Sequence, residues 1–476
     1  MSAAPSPFDS APSAAIDSLG AHEGPVFVDL DETLYLSNST EDFINLARPG
    51  LVAAILLRLL DLLRPWRWSG GYPTRDVWRV RLVVAFFPWV RWRWARKVKA
   101  FAQRFGNTIL LSAFERHSVQ PIVLTAGFRP IVAPLVAALG LPEARIVAAR
   151  LDTFDDRIHG KLQCAIDAVG EEAVRNGLLI TDSEQDLEVL SACKRPFRTV
   201  WPGAAFRPAL ADIYLPGEYL TRVKRPGAHY IRRGILQEDF AFWLLSSLAL
   251  AAHPFLLGLG LLLLLGSFWT VYEQGYLDND RVADRYESDP KIESAYWDAH
   301  VATPRVQPWI WAAALGALGV GVIRWPNFAA PEYFLRWALV LTGTYGWFKL
   351  YNRVDKGTRV WMYAVLQLAR VAAFTVLVPV LPIGAVALGA NALARWALYH
   401  LYRAADKGWP KKDDSPLIRL TFFLVLAALL GVCAGPGSVF NWTGLALLGW
   451  NVFRARHSLA TACRQASRLD RIGPAA

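Results

Sequence analysis

The sequence predicts an α/β domain built on a parallel sheet, followed by an all-α polytopic membrane domain. Three observations carry this. Short β-branched runs that end on a carboxylate or a hydroxyl recur before residue 200 and alternate with helical stretches. Long apolar runs begin only after residue 235. Across its 476 residues the chain also joins 54% hydrophobic residues and a mean hydropathy of +0.25 to a formal charge of +11. Soluble proteins rarely combine such apolarity with such basicity, whereas a membrane protein facing anionic lipid does.

The opening segment, residues 1–23, is rich in Pro, Ser and Ala and carries no basic stretch followed by an apolar core, so it reads as a disordered lead-in. The α/β domain is expected over 24–220 and a linker over 221–237. The membrane domain is expected over 238–456 and a basic tail over 457–476. Cys164, Cys193, Cys433 and Cys463 are scattered without paired spacing, which suggests neither a disulfide framework nor a zinc site and suits a reducing compartment.

In the first domain, PVFVDLDETL (25–34) reads as a buried strand that delivers Asp29 and Asp31 at its carboxyl end. QPIVLTAGF ends a second run at Thr125, HGKLQ offers Lys161, and GLLITDSEQDLEVL ends a third run at Asp182, with Asp186 one helical turn on. Helical stretches at 129–140 and 185–194 separate these runs, as in a parallel sheet whose ligands bind at the strands' carboxyl ends.

Those four pieces, in that order, resemble the haloacid dehalogenase (HAD) superfamily of phosphotransferases, within which TAGF and GK look most like the phosphoserine phosphatase branch. The resemblance implies a Rossmannoid domain, with a helical cap at about 35–120 between the first two motifs, that hydrolyses a phosphomonoester with Mg²⁺. Asp29 would be the nucleophile, forming an aspartyl phosphate. Asp31 would protonate the leaving oxygen and later activate water. Thr125 would donate a hydrogen bond to a phosphoryl oxygen, and Lys161 would let two anions approach. Asp29, the Asp31 carbonyl and Asp182 would hold the metal, with Asp186 orienting that shell or ligating directly. One departure is Thr181, where the superfamily often has glycine before the metal-binding aspartate.

Residues 64–99, in the expected cap, interleave Trp and Arg. Trp favours the headgroup zone and Arg attracts anionic lipid, so the cap either lies on a bilayer or is an amphipathic cap whose Arg residues are solvated. The aromatics accompany a membrane domain and no nucleic-acid fold motif is present, so nucleic acid is not an expected partner.

Eight membrane helices are expected, at roughly 238–253, 254–273, 308–323, 332–350, 360–378, 381–401, 417–434 and 440–453. Lys and Arg in the intervening loops and the tail number eighteen on one side and two, Arg324 and Arg336, on the other. That bias places the α/β domain and both termini in the cytoplasm of a multi-pass protein of the cell membrane. Arg370 and Arg395 fall inside expected helices, where each must face the bundle interior with a partner or an anionic ligand, or snorkel to an interface.

The acid-rich stretch YEQGYLDNDRVADRYESDP (272–290) is expected as a cytoplasmic loop after the second helix. LYNRVDKG and LYRAADKGWPKKDD echo it after the fourth and sixth helices, as a repeated hairpin unit around one cavity would. A helical membrane domain with an Asn-Asp motif after its second helix and a further acid after its sixth resembles the UbiA prenyltransferase family. That resemblance implies Mg²⁺ and a prenyl diphosphate held by Asn279, Asp280, Asp284 and Asp406, with a polyprenyl chain along the bundle. Here Asp280 and Asp284 are four apart rather than three, the later loop is dominated by Lys407, Lys411 and Lys412, and eight helices stand where nine are usual.

The leading functional expectation is therefore a bifunctional membrane enzyme of lipid-linked sugar or isoprenoid metabolism. It would join a Mg²⁺-dependent phosphomonoesterase, acting on a phosphorylated small molecule or a lipid-linked one, to a transferase for a prenyl group or polyprenyl phosphate. Two alternatives stand beside it: a phosphatase whose helices only anchor it, and a non-catalytic membrane scaffold.

Overall fold

The computed structural model describes residues 7–288, 290–298, 301, 303–326, 331–404 and 415–469. The chain divides after Ile213 into two compact units.

The first unit is built on five strands: β1 (Val26–Val28), β2 (Ile122–Phe128), β3 (Ile146–Ala149), β4 (Leu178–Thr181) and β5 (Arg195–Arg198). They lie in the order β3-β2-β1-β4-β5 and every pair is parallel. The register is fixed by Phe27 opposite Ile122 on one side of β1 and Leu179 on the other. A central parallel strand is covered on both faces, which is why β1 reads as unbroken Val-Phe-Val rather than as an alternation, and all three side chains are buried. Helices α7 (Arg129–Ala138), α8 (Asp155–Val169), α9 (Glu171–Arg175) and α10 (Leu187–Ala192) make the crossovers. Phe27 packs with Leu124, Val147, Leu179 and Leu190 in one core cluster.

Between β1 and β2 the chain inserts α2 (Ser39–Ile44), α3 (Gly50–Leu63), α4 (Arg75–Phe86), α5 (Val90–Phe105) and α6 (Thr108–Arg116). Polar ties fix this helical insertion. Arg79 on α4 donates to both carboxylate oxygens of Glu41 on α2, at 2.5 and 2.8 Å. Arg157 on α8 reaches Asp76 on α4 and the carbonyl oxygens of Pro73 and Ala126. Residues 12–19, expected as part of a disordered lead-in, instead form α1 (Pro12–Leu19). Pro12 suits the first helical turn, and Ala15 and Leu19, four apart, bury one face.

The second unit is helical. A π-helical segment, Ile231–Phe240, runs into α11 (Ala241–Ser247), so much of the expected linker is ordered, with Leu220 and Ile235 in the unit's core. Then follow α12 (Pro254–Tyr286), α13 (Ala295–Asp298), α14 (Gln307–Ile323), α15 (Pro331–Arg353), α16 (Thr358–Ala372), α17 (Pro382–Ala404), α18 (Ser415–Ala434) and α19 (Trp442–Leu469). Of these, α12 and α18 are long and apolar enough to cross a membrane. The backbones of α12 and α14 meet at Gly260 and Gly319: a Cβ on Gly319 would lie 3.0 Å from the Gly260 oxygen, so only glycine permits the approach.

Two expectations are corrected here. The acid-rich stretch is no loop, because α12 continues through Tyr286. Glu273, Leu277, Asp280 and Ala283 recur at helical spacing and are buried, so this part of the stretch has a packed face rather than a wet one. Likewise α19 carries on through much of the expected tail, as far as Leu469.

Phe27→Ala removes a fully buried ring from the middle of the sheet and is expected to destabilise the first unit by about 3–5 kcal/mol. Urea titration with pulse proteolysis of the N-terminal unit reads that loss directly.

Candidate active site

The central strand β1 ends at Asp29, whose N–H donates to the Ile180 oxygen at 2.9 Å, extending the ladder with β4 by one residue. Asp29 is 4% exposed. Its Oδ1 accepts from the Leu30 N–H and from Lys161 Nζ, both at 2.9 Å. Lys161 Nζ also donates to Asp186 Oδ2, at 2.8 Å. Asp29 at the end of β1 and Asp186 in the turn after β4 are thus joined through a single ammonium.

Lys161 can do this because α8 is broken just before it. Gly160 has φ +84° and ψ 172°, a region essentially confined to glycine, and the helix restarts at Lys161 in a new direction. Thr181 contributes as well: its hydroxyl donates to Asp186 Oδ2 at 2.6 Å and lies 3.4 Å from Asp29 Oδ2. The residue standing where the superfamily often has glycine therefore orients the carboxylate that holds the lysine.

Beyond Asp29 the chain turns tightly, with the Tyr35 N–H donating to the Leu30 oxygen at 2.8 Å and Glu32 at φ +62°. The turn aims Asp31 at α2, where its Oδ1 accepts from the Ser39 N–H at 2.6 Å. It also presents Thr33, whose hydroxyl donates to Asp182 Oδ1 and accepts from the Asp182 N–H, both at 3.0 Å. Thr125, on the neighbouring strand, is buried, and its Oγ1 accepts from the Gly127 N–H at 3.0 Å. A Cβ on Gly127 would lie 3.3 Å from Thr125 Oγ1 and 3.4 Å from Ser39 Oγ, so these two hydroxyls flank one small space. Ser39 Oγ is buried and has no hydrogen-bond partner. A buried hydroxyl left unpaired beside Thr125 is what a site for phosphoryl oxygens requires.

Burial pushes the Asp29 carboxyl up to about 8, with Lys161 opposing and Asp186 and Asp182 adding to the rise. Burial likewise raises Asp31 to about 6, against the hydrogen bond from the Ser39 N–H, and Glu32 to about 7, helped by Asp182 and Asp31. Asp182 is raised for the same first reason. Burial works against the charge of Lys161, yet Asp29 and Asp186 hold it protonated. Ionised together, these carboxylates would carry more negative charge than one ammonium balances, and their raised pKa values register that repulsion along with burial. Among the described residues no three His, Cys, Asp or Glu side chains gather as a metal cluster. Even so, Asp29 and Asp182 are oxygen donors that repel one another, and a hard cation between them removes that repulsion. The residues fit Mg²⁺.

Residues 26–191 match the family model of the haloacid dehalogenase-like hydrolases. This part of the chain is a HAD-like hydrolase domain. The match ends before the helical unit, and no curated protein or solved structure matches the chain.

The HAD-like domain brings together Asp29, Asp31, Asp182, Asp186 and Lys161, with Thr125 on the adjoining strand. Ser39, Thr33, Thr181 and Gly160 complete it without having been singled out from sequence for these parts. A glycine directly before the lysine was the one legible signal among them.

The acids of the helical unit are arranged otherwise. Asp280 is 2% exposed and accepts from Tyr219 Oη at 2.7 Å and from Lys224 Nζ at 2.5 Å. Asn279 is half-buried and Asp284 exposed, while Asp406 lies outside the described residues. Asp278 accepts from Asn352 and Arg353, and Glu287 from Arg359 and Lys356. Asp278, Asp280 and Glu287 are thus tied to separate neighbours rather than gathered together.

Gly160→Ala forces the break in α8 to relax and swings Lys161 off Asp29. Turnover of a generic phosphomonoester is expected to fall by roughly tenfold or more, about 1.4 kcal/mol of barrier. The circular dichroism spectrum stays unchanged.

Proposed function

We propose that the HAD-like domain hydrolyses a phosphomonoester through an aspartyl phosphate on Asp29, with Mg²⁺ as cofactor. The observation that carries this reading is the Asp29–Lys161–Asp186 bridge at the carboxyl end of the central strand, beside an unpaired Ser39 hydroxyl. Asp29 Oδ1 is committed to Lys161 and the Leu30 N–H, which leaves Oδ2 of the ionised carboxylate to attack phosphorus, and a cation bound beside it would hold that ionised form against the burial that raises its pKa. The phosphorus–oxygen ester bond breaks as the phosphorus–Oδ2 bond forms, and Asp31 gives its proton to the departing alkoxide. A carboxyl near pKa 6 is protonated often enough at neutral pH to do so. Asp31, now ionised, takes a proton from water as that water attacks the phosphoryl group, releasing phosphate and restoring Asp29. Thr125 and Ser39 hold phosphoryl oxygens, and Lys161 offsets their charge. Asp29 and Asp182 would hold Mg²⁺, which supplies neutralising charge, while Asp186 fixes Lys161.

The helical unit is read as a multi-pass membrane domain with the phosphatase in the cytoplasm. α12 and α18 support a membrane role, and the one-sided distribution of Lys and Arg supports the orientation. Substrates at the membrane would then include lipid-linked phosphates. Of the two roles open to the helices, prenyl transfer or anchoring with lipid binding, the engagement of Asp280 by Lys224 and Tyr219 favours the second. A carboxylate already paired with an ammonium is poorly placed to hold Mg²⁺ against a diphosphate.

The deciding experiment is phosphate release by purified full-length protein on soluble and polyprenyl-linked monoesters. Asp29→Asn is expected to abolish release, Asp31→Asn to lower it by about 10²–10⁴-fold, and chelation of Mg²⁺ to stop it reversibly. Unchanged release from Asp29→Asn would sink the mechanism. If Asp280→Asn silences only lipid-linked substrates, prenyl-phosphate handling returns to that stretch of α12.

A further inference from the structure

Within the helical unit four arginines converge on two adjacent carboxylates at the end of the π-helical segment. Asp239, with no exposed surface, accepts from Arg370 Nε on α16 at 2.8 and 3.0 Å and from Arg395 Nη2 on α17 at 3.0 Å. Trp269 Nε1 completes its coordination at 3.1 Å. Glu238 accepts from Arg419 on α18 and, at 2.8 Å, from Arg454 Nε on α19. Six helical segments meet at this point, the π-helical segment, α12, α16, α17, α18 and α19. Both arginines expected from sequence to sit inside the bundle are here, and each has a carboxylate partner.

The charges do not balance. Four guanidinium groups cannot lose their protons, and two carboxylates answer them, so the group carries two surplus positive charges. Arg419 is 3% exposed and its Nη2 has no hydrogen-bond partner, although its Nε is held by Asn451 Oδ1 at 2.9 Å. Asn391, 1% exposed, accepts at its Oδ1 from Arg395 Nε at 3.0 Å, and its Nδ2 is likewise unpaired. A buried, unpaired guanidinium nitrogen is among the costliest groups a fold can keep. The side chains of Arg395 and Arg454 are 14% and 21% exposed, which makes them the accessible edge of the cluster.

We propose that Arg395, Arg419, Arg454 and Asn391 form a binding site for a dianionic phosphoryl group, carried either by a lipid or by free phosphate. A phosphoryl dianion matches both the surplus charge and the unused donors. Its tetrahedral oxygens accept from several planar guanidinium forks at once, which chloride or a lone carboxylate cannot do to the same extent. The site is separate from the HAD-like domain and does not depend on its chemistry.

The test uses full-length protein in maltoside micelles, carrying Lys161→Ala so that the phosphatase centre loses its own anion-holding charge. Equilibrium binding is measured with radiolabelled inorganic phosphate and with radiolabelled farnesyl phosphate. At least one probe is expected to bind at one equivalent, and Arg454→Gln to weaken it roughly tenfold or more. Arg454 lies at the open edge, so its replacement leaves the fold intact; Arg395→Gln serves as the second variant. With Lys161 restored, Arg454→Gln retains full turnover of a soluble phosphomonoester. Equal binding of the two probes assigns the site to free phosphate, and preference for farnesyl phosphate assigns it to a lipid headgroup. Binding of neither probe, or binding untouched by both arginine variants, overturns the proposal.

Discussion

A carboxylate at the buried end of a central strand has no solvent to stabilise its charge, and the first unit is organised around that constraint. Asp29 is carried there by the ladder between β1 and β4, and burial pushes its carboxyl up to about 8 even against Lys161. Lys161 is the opposing charge, and the structure devotes a broken helix, a buried second aspartate and a threonine hydroxyl to keeping it in place. The same logic explains why Asp186 is buried although it need not touch a substrate. One ammonium shared between two acids has a fixed position, whereas a lysine with a single partner can swing away.

Much of this domain was legible in the sequence, because a parallel sheet writes its strands as short apolar runs and its site as the polar residues that end them. Asp29, Thr125 and Asp182 each follow such a run, and the structure sets those runs side by side as β1, β2 and β4. Ser39 was not legible: its part depends on the turn after Asp31 folding back, and no spacing rule encodes that turn. Thr181 read as a departure from a motif, and only the three-dimensional distances reveal its hydrogen bond to Asp186.

The helical unit was legible as a set of apolar segments and less so at their ends. Acid-rich residues after an apolar run look like solvated loop, since hydropathy falls there. What keeps α12 going is pairing: Glu273 accepts from Tyr214 Oη and from the N–H groups of Gly217 and Leu220, and Asp280 from Tyr219 and Lys224. Those partners lie about sixty residues upstream, beyond the reach of any local window. Similarly, Arg370 and Arg395 could be recognised as needing company, but nothing in the sequence pointed to Asp239 for both.

The length of α12 has a mechanical consequence. Its 33 residues rise about 1.5 Å each, giving a rod of roughly 50 Å, longer than the ~30 Å hydrocarbon thickness of a bilayer. The apolar two-thirds is clamped glycine-to-glycine against α14, and the acidic third is bolted to the segment around residues 214–224 by tyrosine hydroxyls, backbone amides and a lysine. A rod fastened at both ends transmits torque instead of absorbing it. Any sliding or rolling of α14 against α12 would therefore bear on the contacts of Tyr214 and Lys224, tens of ångströms along the axis within the same unit.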